Sequence, residues 1–345
     1  MAVIPTIDVG PLIRPMTGPD AGPDAGRRAV ARAIDRACRE HGFFVIVGHG
    51  IDPGLVDRLD RYAREFFALD ESTKAQIAMA EGGRAWRGWF PARGELTSGV
   101  PDDKEGIYFG SELDAGDPRV QGGLPLHGAN LFPTRPAGLR DAVLEWIDEL
   151  TALGQRVLGG IALGLGLDET FFARRVTADP TILFRIFRYP ADPGAPAATS
   201  TRAWGVGEHT DYGLLTILAQ DAAGGLEVHG PDGWIEVPPR RGALVCNLGD
   251  MLDRMTGGRY RSTPHRVRRP LGRDRIAFPF FLDPGWDVDV RPLDLPDSPP
   301  AEHPERWDGA DLRSLSGTYG DYLVGKVSRV FPALVDDVLD QHESP

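Results

Sequence analysis

The sequence predicts a mainly β protein with added helices: a β core, sandwich or barrel, behind a helical N-terminal half and followed by a C-terminal helix. Three observations predict it. Apolar residues recur at helical spacing through the first half of the chain. After Pro180 the texture changes to short β-rich runs separated by Gly, Pro, Asp or Asn. The 43 glycines and 30 prolines, about a fifth of the 345 residues, supply turns for many short strands without reaching the level that signals disorder.

Along the chain, the repeat PDAGPDAG (Pro19 to Gly26) reads as a turn-rich surface loop. Val30, Ala33, Ile34, Ala37 and Cys38 place a helix over Arg27 to Glu40, ended by His41-Gly42. Phe43 to Val47 is an apolar run fit for a buried strand. Pro53 opens a second helix with Leu55, Val56, Leu59, Tyr62, Ala63 and Phe66 on one face. Gly82 to Gly99, rich in Gly and Arg around Trp86, Trp89 and Phe90, reads as a loop. Leu139 to Leu167 carries a long helical pattern whose end is weakened by glycines 159, 160, 164 and 166. Strands are expected at Ile182 to Tyr189, Leu214 to Ala219, Leu226 to Val228, Trp234 to Val237, Ala243 to Asn247, His265 to Val267 and Arg275 to Leu282. Pro190 to Thr201 and Pro292 to Pro304 read as loops, and Tyr319 to Val330 as the final helix. The organisation expected is a helical and mixed region over 1–175 packed on a core over 176–290, with a loop and helix over 291–345. These form one functional unit, because a β core alone leaves a face for helices to cover.

Composition narrows the function classes. The net charge of −12 argues against a broad nucleic-acid surface. Two cysteines, Cys38 and Cys246, exclude a disulfide scaffold and a cysteine zinc cluster. No secretory n-region and h-region opens the chain, and the most apolar stretch, Gly159 to Leu167, is too short to cross a bilayer. A soluble, cytoplasmic protein is expected.

The chemistry concentrates in His209-Thr210-Asp211. In a strand, residues i and i+2 share a face, so an imidazole and a carboxylate can converge on one point. His265 follows 54 residues after Asp211, beyond several expected strands. Two histidines and a carboxylate form the facial triad of non-haem Fe(II) oxygenases, which leaves coordination positions open. Singly, each of the three fits an ordinary structural role, as do His41, His49, His127, His229, His303 and His342. Arg275 leads the apolar run IAFPFFL into the core, where a guanidinium needs a partner. A structural salt bridge would satisfy it; so would a ligand carboxylate held by its fork. Tyr189, before Pro190, could add a phenol hydroxyl or be an ordinary strand-end tyrosine.

The order Arg185…Tyr189-Pro190, Gly207-Glu208-His209-Thr210-Asp211-Tyr212-Gly213, Asn247-Leu248-Gly249-Asp250, Arg261-Ser262-Thr263-Pro264-His265-Arg266-Val267, Arg275 and Phe280-Phe281 resembles the isopenicillin N synthase-like branch of the Fe(II)/2-oxoglutarate-dependent dioxygenases. Ile4-Pro5-Thr6-Ile7-Asp8 and His41-Gly42-Phe43-Phe44-Val45…Gly48-His49-Gly50-Ile51 match too, so the resemblance runs through nearly the whole chain. It implies a double-stranded β-helix, or jelly roll, as the core. It implies Fe(II) on His209, Asp211 and His265. It implies 2-oxoglutarate with its distal carboxylate on Arg275 beside Tyr189, and O2 as the oxidant. The reaction implied is oxidation of an unactivated C–H bond of a small molecule, of the kind secondary metabolism supplies, with release of succinate and CO2. Substrate contacts are expected from the Arg84 to Leu96 loop, with Arg87 and Arg93 as candidates, from Phe281, and from the C-terminal helix as a lid. One departure is that the family's Arg-x-Ser stands here as Arg275-Ile276-Ala277. A lost neutral hydrogen bond is worth on the order of 1 kcal/mol, a several-fold weaker cosubstrate site. Two alternatives are a 2-oxoglutarate-independent Fe(II) oxidase or cyclase on the same fold, and a non-catalytic small-molecule binder.

Overall fold

The computed structural model describes residues 3–14, 24–97, 99–191, 204–295, 306–312 and 314–332. Helical spacing becomes helices where expected. The set is α1 (Gly10–Ile13), α2 (Ala25–Glu40), α3 (Pro53–Phe67), α4 (Glu71–Lys74), α5 (Pro118–Gln121), α6 (Leu139–Gly164), α7 (Phe171–Arg175), α8 (Asp250–Met255) and α9 (Tyr319–Val330). Asp24 caps α2 by accepting from the Arg27 N–H, and Asp52 caps α3 ahead of Pro53. Most of the expected loops over Pro19 to Gly26, Pro190 to Thr201 and Pro292 to Pro304 lies outside the described residues.

The strands are β1 (Thr6–Asp8), β2 (Phe43–Val47), β3 (Gly88–Phe90), β4 (Glu105–Gly110), β5 (Thr181–Tyr189), β6 (Trp204–His209), β7 (Leu215–Gln220), β8 (Leu226–Gly230), β9 (Gly233–Glu236), β10 (Leu244–Leu248), β11 (His265–Arg268) and β12 (Arg275–Asp283). They form a major sheet of order β1-β2-β10-β7-β12-β5-β4-β3 and a minor sheet of order β6-β11-β8-β9. The double-stranded β-helix implied by the resemblance is thus the core, with helices before it and α9 after it. Residues 1–175 do more than pack on that core, because β1 to β4 extend the major sheet at both edges.

The long helix α6 crosses the back of the major sheet. Its glycines continue the helix to Gly164 rather than weakening it. A side chain at Gly154 would meet Leu282 at 2.7 Å, and one at Gly160 would meet Leu12 at 2.8 Å. Each glycine costs about 0.5–1 kcal/mol against alanine in a helix, offset by the close approach it permits. Trp146, Leu150, Val157 and Ile161 are sealed beneath.

Gly82 to Gly99 corrects the loop reading. A 3-10 segment runs over Met79–Ala85, Trp86 adopts a left-handed conformation, and β3 then pairs with β4. The inner face of the major sheet, facing the minor sheet, carries Leu183, Arg185, Phe187 and Tyr189 from β5 and Arg275, Ala277, Pro279 and Phe281 from β12, every second residue of each. The cavity between the sheets begins there.

Candidate active site

His209 is the last residue of β6, and His265 the first of β11; the two are directly paired across the minor sheet. Their rings lie 4.2 Å apart between centroids. Asp211 does not share a strand with His209, as the i, i+2 argument supposed, but sits in the turn between β6 and β7. The backbone there is held by the Asp250 N–H donating to the Asp211 carbonyl at 2.8 Å. One ligand atom from each of His209, Asp211 and His265 lies within 4.8 Å of the others.

The neighbours prepare these atoms for a cation. Each histidine has Nδ1 on a backbone carbonyl, Gly207 for His209 at 2.9 Å and Thr263 for His265 at 3.2 Å. A carbonyl only accepts, so Nδ1 carries the proton and Nε2 keeps its lone pair. Asp211 Oδ2 accepts from Thr216 Oγ1 and Asn247 Nδ2, both at 2.6 Å, leaving Oδ1 toward His265 Nε2, 3.8 Å away. Burial and the adjacent His265 push His209 down to about 3, so its imidazole is neutral. Burial would raise Asp211, but the two histidines and its two donors outweigh that and hold it below the usual carboxylate range. A neutral imidazole and an ionised carboxylate are what a divalent ion requires.

Arg275 and Tyr189 form the other end of the site. They are cross-strand partners on β12 and β5, with the guanidinium 4.8 Å from the phenol ring centre. Arg275 is 1% exposed. Its Nε donates to the Gly224 carbonyl at 2.7 Å and Nη2 to Gln220 at 3.4 Å, while Nη1 is buried and meets no acceptor among the described residues. A buried guanidinium nitrogen without a partner is costly. It fits a group that brings a carboxylate. Burial raises the Tyr189 phenol above its usual value, so it remains a donor. Ala277 lies on the same cavity face, opposite Phe187.

The cavity holding the triad and Arg275 has a volume of about 100 Å³. Phe281 lines it, as do Val327, Val330 and Phe331 from and beyond α9. Arg87 does not, which corrects its assignment as a substrate residue. Its Nη1 donates to the carbonyls of Ser111 and Gly128, at 2.6 and 2.7 Å, and its Nη2 to that of Leu126 at 3.0 Å. This side chain pins the 111–130 segment from inside the fold. Arg93 points to Asp103 at the surface, 3.3 Å away. Trp86, Trp89 and Phe90 pack the β3 region down rather than line the cavity.

Sequence reasoning missed Thr216 and Asn247 as supports of Asp211. It also missed a buried array beside the cavity. Lys104 lies 3.0 Å from Glu95 and 2.6 Å from Asp102, and Tyr108 donates its hydroxyl to Glu95. Arg185 lies over the Tyr108 and Phe281 rings. Arg185 stands in the motif order Arg185…Tyr189-Pro190, and its place on the inward-facing alternation of β5 is what turns it toward the cavity.

Comparison with known proteins agrees with this geometry. Residues 4–135 match the model of the non-haem dioxygenase in morphine synthesis N-terminal family, and residues 181–284 that of the 2OG-Fe(II) oxygenase superfamily. A probable iron/ascorbate oxidoreductase of Dictyostelium discoideum is 48% identical over 325 residues, 88% of this chain and 89% of that protein. A homoarginine-6-hydroxylase of Arabidopsis thaliana is 33% identical over 340 residues, 97% and 91% of the two chains. Among solved structures, a 2OG-Fe(II) oxygenase family protein from Caulobacter crescentus superposes with TM-score 0.75 at 29% identity, covering 95% of this chain and 99% of that one. A full-length Neurospora crassa protein in complex with alpha-KG gives 0.74 at 26% identity, covering 94% and 96%. Kinship at that level, along the length of the chain, makes the protein a member of the 2OG-Fe(II) oxygenase superfamily, an oxidoreductase that takes Fe(II) and 2-oxoglutarate.

Proposed function

We propose that the enzyme oxidises an unactivated C–H bond of a small organic molecule, its product being an alcohol, an alkene or a ring. For hydroxylation the balance is substrate, 2-oxoglutarate and O2 giving the alcohol, succinate and CO2. The observation that carries this reading is the unpaired Nη1 of Arg275, in the same cavity as the triad. Bound at the triad, Fe(II) supplies the redox centre for dioxygen chemistry. The chain's own groups do the rest. His209, Asp211 and His265 would hold the ion, one ligand atom each. Arg275 receives the distal carboxylate through its fork, with Tyr189 donating beside it. Phe281 and the residues of α9 form an apolar cover that excludes water from the reacting centre.

The test is anaerobic titration of the Fe(II)-loaded protein with 2-oxoglutarate, following the metal-to-ligand charge-transfer band. Wild type is expected to give the band. Arg275→Gln should need at least about tenfold more 2-oxoglutarate, since a charge-assisted bond is worth roughly 1.5–3 kcal/mol, with iron stoichiometry unchanged. Absence of the band in wild type would sink this reading and favour an oxidase independent of 2-oxoglutarate.

A further inference from the structure

The cavity contains a second guanidinium that holding 2-oxoglutarate does not require. Arg185 lines it from β5, four residues before Tyr189 on the same face. Among the described residues it makes no hydrogen bond and no ion pair, and its Nε is buried without a partner. Its guanidinium carbon lies 4.1 Å from the centre of the Tyr108 ring and 4.9 Å from that of Phe281, and the Glu95 and Asp211 carboxylates act on it through space without an ion-pair contact. The two ring contacts are cation–π contacts, which use the charge and not the N–H donors. Glu95, the carboxylate of the adjacent array, makes its close contacts to Lys104 and Tyr108 and reaches Arg185 only through space.

Arg185 is not placed to serve the distal carboxylate that Arg275 receives. Arg275 is paired with Tyr189, and Tyr189 lies about 13 Å along the strand from Arg185 at ~3.3 Å per residue. The guanidinium itself lies against Phe281, which pairs with Leu183 at the opposite end of β12 from Arg275. Around Arg185 the wall is apolar, made by Leu183, Phe187, Phe281, Val327, Val330 and Phe331. Glu95 and Asp211 in the same lining disfavour a ligand with a second negative charge beside the first.

Resting on the oxygenase reading above, we infer that Arg185 anchors the carboxylate of the substrate, which is a small organic acid with one carboxylate and an apolar body. The planar fork donates to both oxygens of a carboxylate, with the Tyr108 and Phe281 rings packed against it. The apolar end of the acid then lies against Phe281 and α9.

The experiment is calorimetric titration of the Fe(II)- and 2-oxoglutarate-loaded protein, kept anaerobic, with a panel of small aliphatic and aryl monocarboxylates. Each acid is paired with its primary amide, and a phosphate monoester of each body is included. At least one carboxylate should bind about tenfold or more tighter than its amide, the scale of one charge-assisted bond. Arg185→Leu should remove that preference, Arg185→Lys should keep part of it, and the 2-oxoglutarate titration should be unchanged in both. If the leucine variant does not fold, the lysine variant, which keeps the charge but loses the fork, carries the comparison alone. Equal binding of acids and amides, no acid binding at all, preference for the phosphate monoester, or weaker 2-oxoglutarate in the Arg185 variants would each overturn the assignment. A missing charge-transfer band faults the cosubstrate reading alone, since the acid–amide comparison can be repeated on the metal-free protein.

Discussion

Asn247 and Thr216 come from β10 and β7 of the major sheet and fix the ligand carboxylate that hangs off the minor sheet. Removing one leaves Asp211 free to rotate and to present the wrong oxygen. Asn247→Ala should therefore weaken Fe(II) by roughly 10–100-fold, the usual cost of an outer partner, with the circular dichroism spectrum intact; unchanged affinity in an anaerobic metal titration would show that Thr216 suffices. A second residue-scale prediction concerns Ala277, which is buried on the cavity face beside Arg275. Ala277→Ser should tighten 2-oxoglutarate by about 1 kcal/mol, read as a several-fold shift in the charge-transfer titration. No shift, or lost stability, would mean that the hydroxyl finds no room or no carboxylate. The ligands were legible because His209, Asp211 and His265 stand in a motif order that resembles a known family; strand spacing alone misplaced Asp211 on the strand of His209. Arg87 was misread because sequence cannot tell an arginine facing a ligand from one saturated by backbone carbonyls. Asn247 and Thr216 were invisible because their role depends on which strands lie side by side.

The C-terminal helix α9 was foreseen to the residue, since its periodicity is clear and its capping box, Thr318 with Asp321, marks the start. Its tie to the core was not foreseen. Tyr319 donates to Asp283 at the end of β12, and Tyr322 donates to Asp250 at 2.9 Å. The Leu96 N–H donates to the Val330 carbonyl at 3.1 Å, so the segment after β3 is joined to the same helix. These bonds hold the apolar cover over the cavity. Tyr319→Phe leaves a buried carboxyl short of a donor and should cost about 1–3 kcal/mol of stability. Hydrogen exchange should quicken in residues 319–330 more than in β12; equal protection would show that packing alone seats the helix. Elements with a strong period were readable, and the short ones were not. β6, read as no strand, contains two glycines in WGVGEH, and β3 has three residues that earn their conformation only by pairing with β4.

At the scale of the whole molecule, the site exists because two sheets face each other with β12 and β5 on one side and β6 and β11 on the other. Sequence texture located the β core but not the pairing, which joins residues as distant as Phe44 and Cys246. The expected boundary near 175 likewise hides the continuity of the major sheet through β1 to β4. That closed architecture buries Asp283, and burial raises its carboxyl from the ordinary 3.8 to about 7 in the metal-free protein. Between those two values the folded state keeps a proton that the unfolded chain has released. Unfolding then releases a proton, so the contribution of Asp283 to stability is greatest at the acid end and declines as pH rises toward 7. Asp253, raised to about 6 by burial, acts in the same direction over a narrower window. Asp283→Asn removes the proton without removing the shape. Relative to wild type, the metal-free variant should gain stability progressively as pH rises from 3.8 to about 7, and the difference should level off above that. Urea unfolding of both proteins across this range measures it. A difference independent of pH would mean that Asp283 is ionised in the folded state throughout, with Tyr319 and the Leu214 N–H sufficient to hold the charge.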